Sequence, residues 1–279
     1  MIGYDAAGRL VEGFVDLLFP PQCVWCDVPT SIRQRLCTPC RQRFVSEYYR
    51  CQKCAAPLPR VLPNTDCIRC RTGKWRFSSV YTLAPYRGEM RRAVIMMKRK
   101  RFEPLRRAMA DLLAEKLMLE LNTSGLNSGD DQKNPSEQAD VLSAETTTVA
   151  VGENPVLVPV PYHWSHGFST AADTAELLAN GISHRTSWPV VRGAIGRVRK
   201  TAKQGVLSWA ERKVNVRRAF AVKSSRLIEQ RHVLLVDDVM TSGATAAEIS
   251  RLLLKAGARR VSVVVAARAT GVRELPANQ

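Results

Sequence analysis

The sequence of 279 residues has no cysteine outside residues 23–70 and no uninterrupted apolar run of the length that a membrane-spanning helix needs. It also lacks an N-terminal secretory signal, because charged residues interrupt the apolar positions of its first 20 residues. Without export, a disulfide framework is not expected, since disulfides form in oxidising compartments. We therefore expect a cytoplasmic protein without a membrane span, in which all the thiols belong to one region.

The first 20 residues are predicted to form an amphipathic helix. Its apolar side chains recur at helical spacing, and its acidic and basic side chains lie between them. The apolar positions are Leu10, Phe14, Leu17 and Leu18. The segment is too short and too charged to span a bilayer.

Acidic residues are scarce relative to basic ones. The chain has 25 Asp and Glu against 42 Lys and Arg, a formal net charge of +17. Residues 23–76 contain 11 basic and 3 acidic side chains, and residues 192–218 contain 9 and 1. Such an excess is typical of proteins with polyanionic partners. A solvated basic surface without a partner is the alternative interpretation.

The eight cysteines form four CxxC pairs, a spacing that places two sulfurs on one metal ion. Two pairs complete the tetrahedral thiolate shell of a structural zinc, so we predict two zinc ions and a double ribbon over residues 21–76. Sequential pairing joins the first CxxC pair with the second, which forms a first ribbon, and the third with the fourth, which forms a second ribbon. A cross-brace would instead join the first pair with the third and the second with the fourth. The predicted ligands are Cys23, Cys26, Cys37, Cys40, Cys51, Cys54, Cys67 and Cys70.

The ribbon region also carries many basic side chains and several aromatic ones. Phosphate contacts and base stacking by such residues are typical of single-stranded nucleic-acid binding. A module that docks on the rest of the chain is the alternative. The side chains concerned are Arg33, Arg35, Arg41, Arg43, Lys53, Arg69, Arg71, Lys74 and Arg76, with Trp25, Tyr48, Tyr49 and Trp75.

After residue 76 the pattern changes to alternating strands and helices, which predicts a largely parallel α/β sheet over residues 77–270 and a tail at 271–279. The predicted strands are 79–85, 155–161, 233–236 and 261–267, and predicted helices begin near residues 88, 105, 175 and 249. Residues 122–154 are polar and acidic with hardly any large apolar side chain, so we predict a flexible insertion there.

The most informative segment runs from Val233 to Thr245. An apolar strand, buried on both faces, ends in Asp237 and Asp238, and a loop of small and hydroxyl-bearing residues then opens a helix. Open α/β sheets bind ligands at the carboxyl ends of their strands, and a loop at a helix N-terminus can bind a phosphate. The alternative is a simple helix cap, which explains one polar residue but not two acids and five small ones. The hydroxyl loop comprises Thr241, Ser242, Gly243, Ala244 and Thr245.

A basic segment, 196–220, precedes this motif and is predicted to be a mobile loop. Its Arg197, Arg199 and Lys200 could neutralise a pyrophosphate leaving group if the loop lies over the phosphate site. An ordinary exposed basic loop is the alternative.

The motif resembles the phosphoribosyl-diphosphate (PRPP) site of type I phosphoribosyltransferases, and the chain as a whole resembles the ComF family. Matching features occur in order along nearly the whole sequence, apart from the insertion and the tail. They include Leu18-Phe19-Pro20, the CxxC pairs, Val158-Pro159-Val160-Pro161, Gly167-Phe168, Arg197-x-Arg199-x-Thr201-x-x-Gln204, Arg212, Asn215-Val216, Ala219-Phe220 and Asp237-Asp238.

This resemblance implies a zinc ribbon followed by a phosphoribosyltransferase domain, and a role in DNA uptake during natural competence. By carry-over, Asp237 and Asp238 bind the ribose hydroxyls and Thr241 to Thr245 bind the 5′-phosphate of PRPP, with Mg²⁺ held mainly by the ligand's own oxygens and water. Proteins of the competence machinery and single-stranded DNA are the implied partners.

The sequence departs from the family pattern at the turn after Pro161. The family usually has an arginine-rich stretch and Arg-Gly-Phe-Asn there, whereas this chain has His163 and His166 followed by Gly167-Phe168-Ser169. Neutral imidazoles attract pyrophosphate less than guanidinium groups do, so the turnover of a transferase is in question. The alternative function is a non-catalytic nucleic-acid-binding protein that uses the fold as a scaffold or a PRPP sensor. A zinc hydrolase is disfavoured by the closed thiolate shells.

Overall fold

A computed structural model describes residues 20–31, 34–58, 67–72, 75–126, 154–161, 174–199 and 216–269. The predicted N-terminal helix, the tail, His163, His166 and Lys200 lie outside these residues. Among the described helices, none combines the length and apolar composition required to cross a membrane.

A four-stranded parallel sheet forms the centre of the C-terminal domain, in the order β1, β6, β5, β2. Because strands of such sheets are covered on both faces, they read as nearly continuous apolar runs, and this explains how the sequence revealed them. The strands are β1 Val80–Pro85, β2 Val156–Pro159, β5 His232–Met240 and β6 Arg260–Arg268, and a separate antiparallel pair joins β3 Ile195–Arg197 to β4 Phe220–Val222.

Helices cover both faces of the sheet, as the alternating pattern predicted. They are α1 Thr38–Phe44, α2 Ile68–Thr72, α3 Gly88–Met97, α4 Glu103–Leu126, α5 Thr174–Thr186 and α6 Ala244–Lys255, with a 3-10 turn at Lys100–Phe102. The predicted class, a parallel α/β sheet preceded by a small cysteine-rich domain, is confirmed.

Alternate side chains of β5 belong to two different cores, as the period of two in a strand requires. Leu234 and Val236 pack in a core with α3, α4 and α5, whereas Val233 and Leu235 pack in a core with α6. Cysteines of the first ribbon lie in the core that contains α3, α4 and α5, and cysteines of the second ribbon lie in the core that contains α6. The two ribbons therefore pack on opposite faces of the sheet.

Ion pairs attach the ribbon region to the helices of the C-terminal domain. Arginine side chains from residues 35–50 meet carboxylates on α3 and α4, and each such exposed pair contributes at most about 1 kcal/mol. The pairs are Arg35–Asp111 at 2.5 Å, Arg43–Glu89 at 3.2 Å, Arg50–Glu120 at 2.7 Å, and Arg41–Glu115. Three of the arginines that the sequence suggested for nucleic acid thus serve docking instead, which favours the docking interpretation of the ribbon.

Three predicted boundaries need correction. Helix α4 continues to Leu126, five residues into the predicted insertion, because extending an existing helix adds one hydrogen bond for each residue that is fixed. The predicted mobile loop 196–220 begins and ends in the paired strands β3 and β4, where Ala219 and Phe220 are buried and pin the backbone. Strand β5 extends past the acids to Met240, because the parallel neighbour β6 continues beside it.

One prediction concerns stability at acidic pH. Burial, with the positive charges of Arg260 and Arg259, lowers the pKa of His232 to about 4 from an ordinary value of 6.5. The unfolded chain therefore takes up a proton at a higher pH than the folded chain, so stability present above pH 6.5 is lost as pH falls towards 4. The loss is up to about 3 kcal/mol, from 1.36 kcal/mol for each pH unit.

Urea unfolding between pH 7 and pH 4 measures this loss. Carboxylates also titrate in this range, so a His232→Gln variant is the control, because it keeps a polar partner for Ser262 Oγ, which lies 2.9 Å from His232 Nε2. We expect a shallower pH dependence for the variant. Identical slopes for the two proteins would contradict the assignment to His232.

Candidate functional site

The acid pair lies in the second half of β5, near the carboxyl edge of the parallel sheet. Asp237 and Asp238 are both partly exposed, and the Asp238 side chain retains 13% of its accessible surface. The Asp237 carboxylate accepts a hydrogen bond of 2.8 Å from the backbone N–H of Asp238. Neither acid is sealed in the apolar interior, so both remain open to a polar ligand.

The hydroxyl loop joins β5 to α6. Gly243 adopts the left-handed conformation with φ of +76°, and α6 begins at the next residue. The backbone N–H of Ala244 donates to Ser242 Oγ at 3.3 Å. A cavity of about 40 Å³ is lined by Asp237, by Val160 and by all five loop residues. Asp237 and the loop thus border one small cavity at a helix N-terminus, the arrangement that favours an anion, whereas the next residue, Asp238, pairs with Lys98.

Lys98 is a site residue that the sequence did not single out. Its Nζ lies 3.0 Å from the Asp238 carboxylate, although the two residues are far apart in the chain. Partial burial lowers the pKa of Lys98, but the charges of Asp238 and Asp237 and the hydrogen bond to Asp238 outweigh burial and raise that pKa. Lys98 therefore remains an ammonium ion beside the acid pair. Only its place in a basic run, 98–101, could have drawn attention to it.

The basic residues predicted for pyrophosphate fall into two groups. Burial lowers the pKa of the Arg197 guanidinium, and the nearby Asp237 carboxylate opposes this effect without outweighing it. The same guanidinium lies 4.9 Å from the centre of the Phe220 ring. Arg199 donates to the carbonyl of Arg217 at 3.0 Å. Lys200 lies outside the described residues. Arg197 is therefore related to the acid pair through Asp237.

Replacing Gly243 with alanine should weaken the fold and the site together. A Cβ at this position would lie 2.6 Å from Met240 Cε and 3.1 and 3.2 Å from two atoms of the Trp75 ring. The left-handed backbone adds strain for any L residue, of about 1 to 2 kcal/mol. We expect a lower melting temperature and a roughly tenfold loss of PRPP affinity in calorimetry, which is equivalent to about 1.4 kcal/mol.

Gly193→Ala provides the matched control. Gly193 has φ of +71°, and a Cβ there would meet nothing within 4 Å. The control therefore carries the backbone strain without crowding the hydroxyl loop. An equal loss of PRPP affinity in both variants would contradict the assignment of the loop.

The eight cysteines form two four-sulfur clusters. Within each cluster all four Sγ atoms lie within 4.8 Å of one another, and the clusters follow the sequential pairing rather than the cross-brace. Burial raises the pKa of the Cys23 and Cys51 thiols, but backbone hydrogen bonds outweigh it and bring each pKa to about 7. Four thiolate donors in so small a space fit a closed tetrahedral zinc site, which stabilises the fold and leaves no position for a substrate.

Comparison with known proteins agrees with this division of the chain. Residues 14–72 match the family described as the double zinc ribbon domain, and residues 142–277 match the phosphoribosyl transferase domain. The DNA utilization protein YhgH of Escherichia coli (strain K12) is 29% identical over 88% of this chain and 96% of its own length. Competence protein F of Haemophilus influenzae is 37% identical over 40% of this chain and 50% of its own length.

Hypoxanthine phosphoribosyl transferase of Trypanosoma cruzi is a more distant neighbour, with 16% identity and a TM-score of 0.35 over 63% of this chain and 71% of that one. Similarity of this size supports no assignment by itself, and the two family matches carry the conclusion. The chain thus combines a segment that matches the double zinc ribbon domain with a segment that matches the phosphoribosyl transferase domain, and it is similar over most of its length to a DNA utilization protein.

Proposed function

We propose that the protein binds PRPP at the carboxyl edge of β5 and transfers its phosphoribosyl group to an acceptor. The observation that supports this most is the cavity that Asp237 lines together with the whole hydroxyl loop, next to the partly exposed Asp238. The two carboxylates accept hydrogen bonds from the 2′- and 3′-hydroxyls of the ribose. The loop amides, its hydroxyl groups and the N-terminus of α6 bind the 5′-phosphate.

Positive charge around the cleft suits the leaving pyrophosphate. The bond between C1 of the ribose and the pyrophosphate oxygen breaks, its electron pair leaves with pyrophosphate, and positive charge develops on the ribose ring. Arg197 stabilises the negative charge on the departing group, and the acceptor then bonds to C1. The ion pair with Lys98, at 3.0 Å, holds the Asp238 carboxylate in position. Mg²⁺, if it binds together with PRPP, would supply further positive charge beside the pyrophosphate.

Calorimetric titration of the zinc-loaded protein with PRPP and Mg²⁺ tests this proposal. We expect saturable binding of one PRPP to each chain, and release of pyrophosphate when the correct acceptor is added. Nucleobases and single-stranded nucleic acids are the acceptors to screen. A protein that gives no heat of binding at millimolar PRPP would contradict the proposal.

The second candidate function is a nucleic-acid-binding accessory role without turnover, in which PRPP acts as a signal. The net charge of +17 favours it, as does the exposed basic run Lys98, Arg99, Lys100 and Arg101, of which Lys98 pairs with Asp238. The names of the relatives, DNA utilization protein and Competence protein F, direct this proposal to DNA and to the proteins of DNA uptake. Thiolate zinc sites fit the reducing cytoplasm, where we place the protein.

Single-stranded DNA should therefore bind with an affinity that falls steeply as salt rises. Neutralising several phosphates releases counterions, so log K decreases linearly with log salt. Fluorescence anisotropy of a labelled oligonucleotide measures this affinity at salt concentrations between about 50 and 200 mM. We expect the affinity to fall on the order of tenfold or more over this range. Affinity that does not respond to salt would count against this role.

A further inference from the structure

Arg268 is a buried charge at the end of β6 that neither the sequence motif nor the proposed chemistry uses. Its side chain is inaccessible to solvent, and it is the largest of the fully buried side chains among the described residues. An isolated buried guanidinium is very unfavourable, so its hydrogen bonds reveal why it is tolerated. All of its described hydrogen bonds go to backbone carbonyl groups.

These carbonyls belong to two different parts of the molecule. Arg268 Nε donates to the carbonyl of Cys54, a thiol of the second cluster, at 2.8 Å. Nη1 donates to the carbonyls of Met240 and Thr241, at 2.9 and 2.5 Å, and also to that of Ala269. A single guanidinium therefore connects the backbone of the second ribbon with the backbone that enters the hydroxyl loop.

Trp75, which follows the second ribbon in the chain, gives an independent contact with the same loop. Its ring stacks on Phe77, with 5.4 Å between ring centres. Two of its ring atoms lie 3.1 and 3.2 Å from the point where a Cβ of Gly243 would stand. Cys54 and Cys70 share their core with Met240, which precedes the loop, and with Ala244 of the loop. The second ribbon is thus packed directly against the loop, whereas the first ribbon lies in the other core.

We propose that Arg268 is a positioning residue, which fixes the conformation of the hydroxyl loop by tying it to the second ribbon. Zinc, when bound, holds Cys54 and therefore the direction of its carbonyl. Arg268 transmits that restraint to Met240 and Thr241, so the loop amides are arranged before PRPP arrives. The inference rests on the proposed function only where it assigns PRPP to the loop. The hydrogen bonds by which Arg268 connects the second ribbon with the loop exist in the protein without ligand.

Hydrogen exchange in the zinc-loaded protein without PRPP tests the link directly. Arg268→Met keeps a long side chain but removes every donor, and we expect at least tenfold faster exchange of the amides at 241–245. Arg268→Lys retains one charged donor, so it should restore part of the protection. The same three proteins are then titrated with PRPP and Mg²⁺, where the Met variant should bind at least ten times more weakly.

A variant destabilised elsewhere in the same strand separates this role from a general loss of stability. Val261→Ala creates a small cavity at the opposite end of β6, where Val261 is buried in the core with α6. We expect unchanged protection at 241–245 and unchanged PRPP affinity for this control, with two zinc ions bound in every variant. Should a variant fold poorly, the Lys substitution provides the comparison.

The outcomes are distinguishable. Equal exchange of the loop amides in the wild type and in Arg268→Met overturns the positioning role, whatever happens with PRPP. An exchange effect as large in Val261→Ala as in Arg268→Met also overturns it. A wild-type protein that binds no PRPP overturns the proposed function instead, and the exchange measurement alone then decides the role of Arg268.

Discussion

Replacing Asp237 and Asp238 together with alanine should abolish PRPP binding, with the dissociation constant rising at least a hundredfold. Each carboxylate is expected to accept hydrogen bonds from ribose hydroxyls, and hydrogen bonds to a charged group contribute about 1.5 to 3 kcal/mol each. Two such losses amount to about 3 kcal/mol or more, which is beyond a hundredfold in affinity. Calorimetric titration at a fixed Mg²⁺ concentration measures the change.

The fold should tolerate this double substitution. Both side chains are partly exposed, and their partner Lys98 retains 56% of its side-chain surface, so its ammonium group can be hydrated when Asp238 is removed. Removing two adjacent negative charges also relieves repulsion, so the melting temperature should not fall. A loss of binding with an unchanged melting temperature is the pattern of a ligand site rather than of a structural acid.

Glu229→Ala is the matched control for the acid pair. Glu229 is exposed and lies before β5, at the amino-terminal edge of the sheet and therefore opposite the proposed site. Its removal changes the net charge in the same direction without touching the cleft. Normal PRPP binding by the double alanine variant, or an equal loss in the control, would remove the basis of the proposed function.

The sequence predicted those features of the fold that depend on local pattern. Buried parallel strands appear as continuous apolar runs, so β6 was predicted at 261–267 and lies at Arg260–Arg268. The helix after the hydroxyl loop was recognised in the same way, from apolar residues at helical spacing, and it forms α6. The acids and the loop were found because one short segment contains them all.

Features that depend on long-range contacts could not be predicted. Lys98 forms an ion pair with Asp238, 140 positions later in the chain (238 − 98). Arg268 donates a hydrogen bond to Cys54, 214 positions earlier. Periodicity reports that a side chain is buried or exposed, but it does not report which element covers it. For the same reason the ribbon arginines gave two equal interpretations until the acids of α3 and α4 were placed beside them.

The site also combines residues from separate elements whose arrangement only the sheet determines. Strand β5 supplies the acids, the turn after α3 supplies Lys98, and β3 supplies Arg197. None of these elements is adjacent to another in sequence. The acids and Lys98 meet near the carboxyl edge of the parallel sheet, where loops from several strands meet, whereas Arg197 comes from the separate pair of β3 and β4.

Removing zinc ligands should produce the other large effect. Structural zinc contributes about 10 to 16 kcal/mol to the folded state of small zinc domains at pH 7. Losing one ion should therefore unfold the ribbon that held it. We expect Cys40→Ser and Cys70→Ser each to bind one zinc for each chain instead of two, as measured by elemental analysis, and to melt at lower temperature than the wild type.

The double variant Cys40→Ser/Cys70→Ser distinguishes the two pairings. In the sequential arrangement these cysteines belong to different clusters, so the double variant should bind no zinc. In a cross-brace they would share one site, so the double variant would still bind one ion. Retention of one zinc would therefore contradict the arrangement described above.

The two single variants should differ in PRPP affinity although both lose one zinc ion. Cys70 shares a core with Met240, which precedes the hydroxyl loop, and with Ala244 of the loop, whereas Cys40 packs in the core on the opposite face of the sheet. Cys70→Ser should therefore weaken PRPP binding at least tenfold, while Cys40→Ser should leave it nearly unchanged. Equal affinities in the two variants would mean that the sheet isolates the loop from both ribbons, and that Arg268 carries no restraint between them.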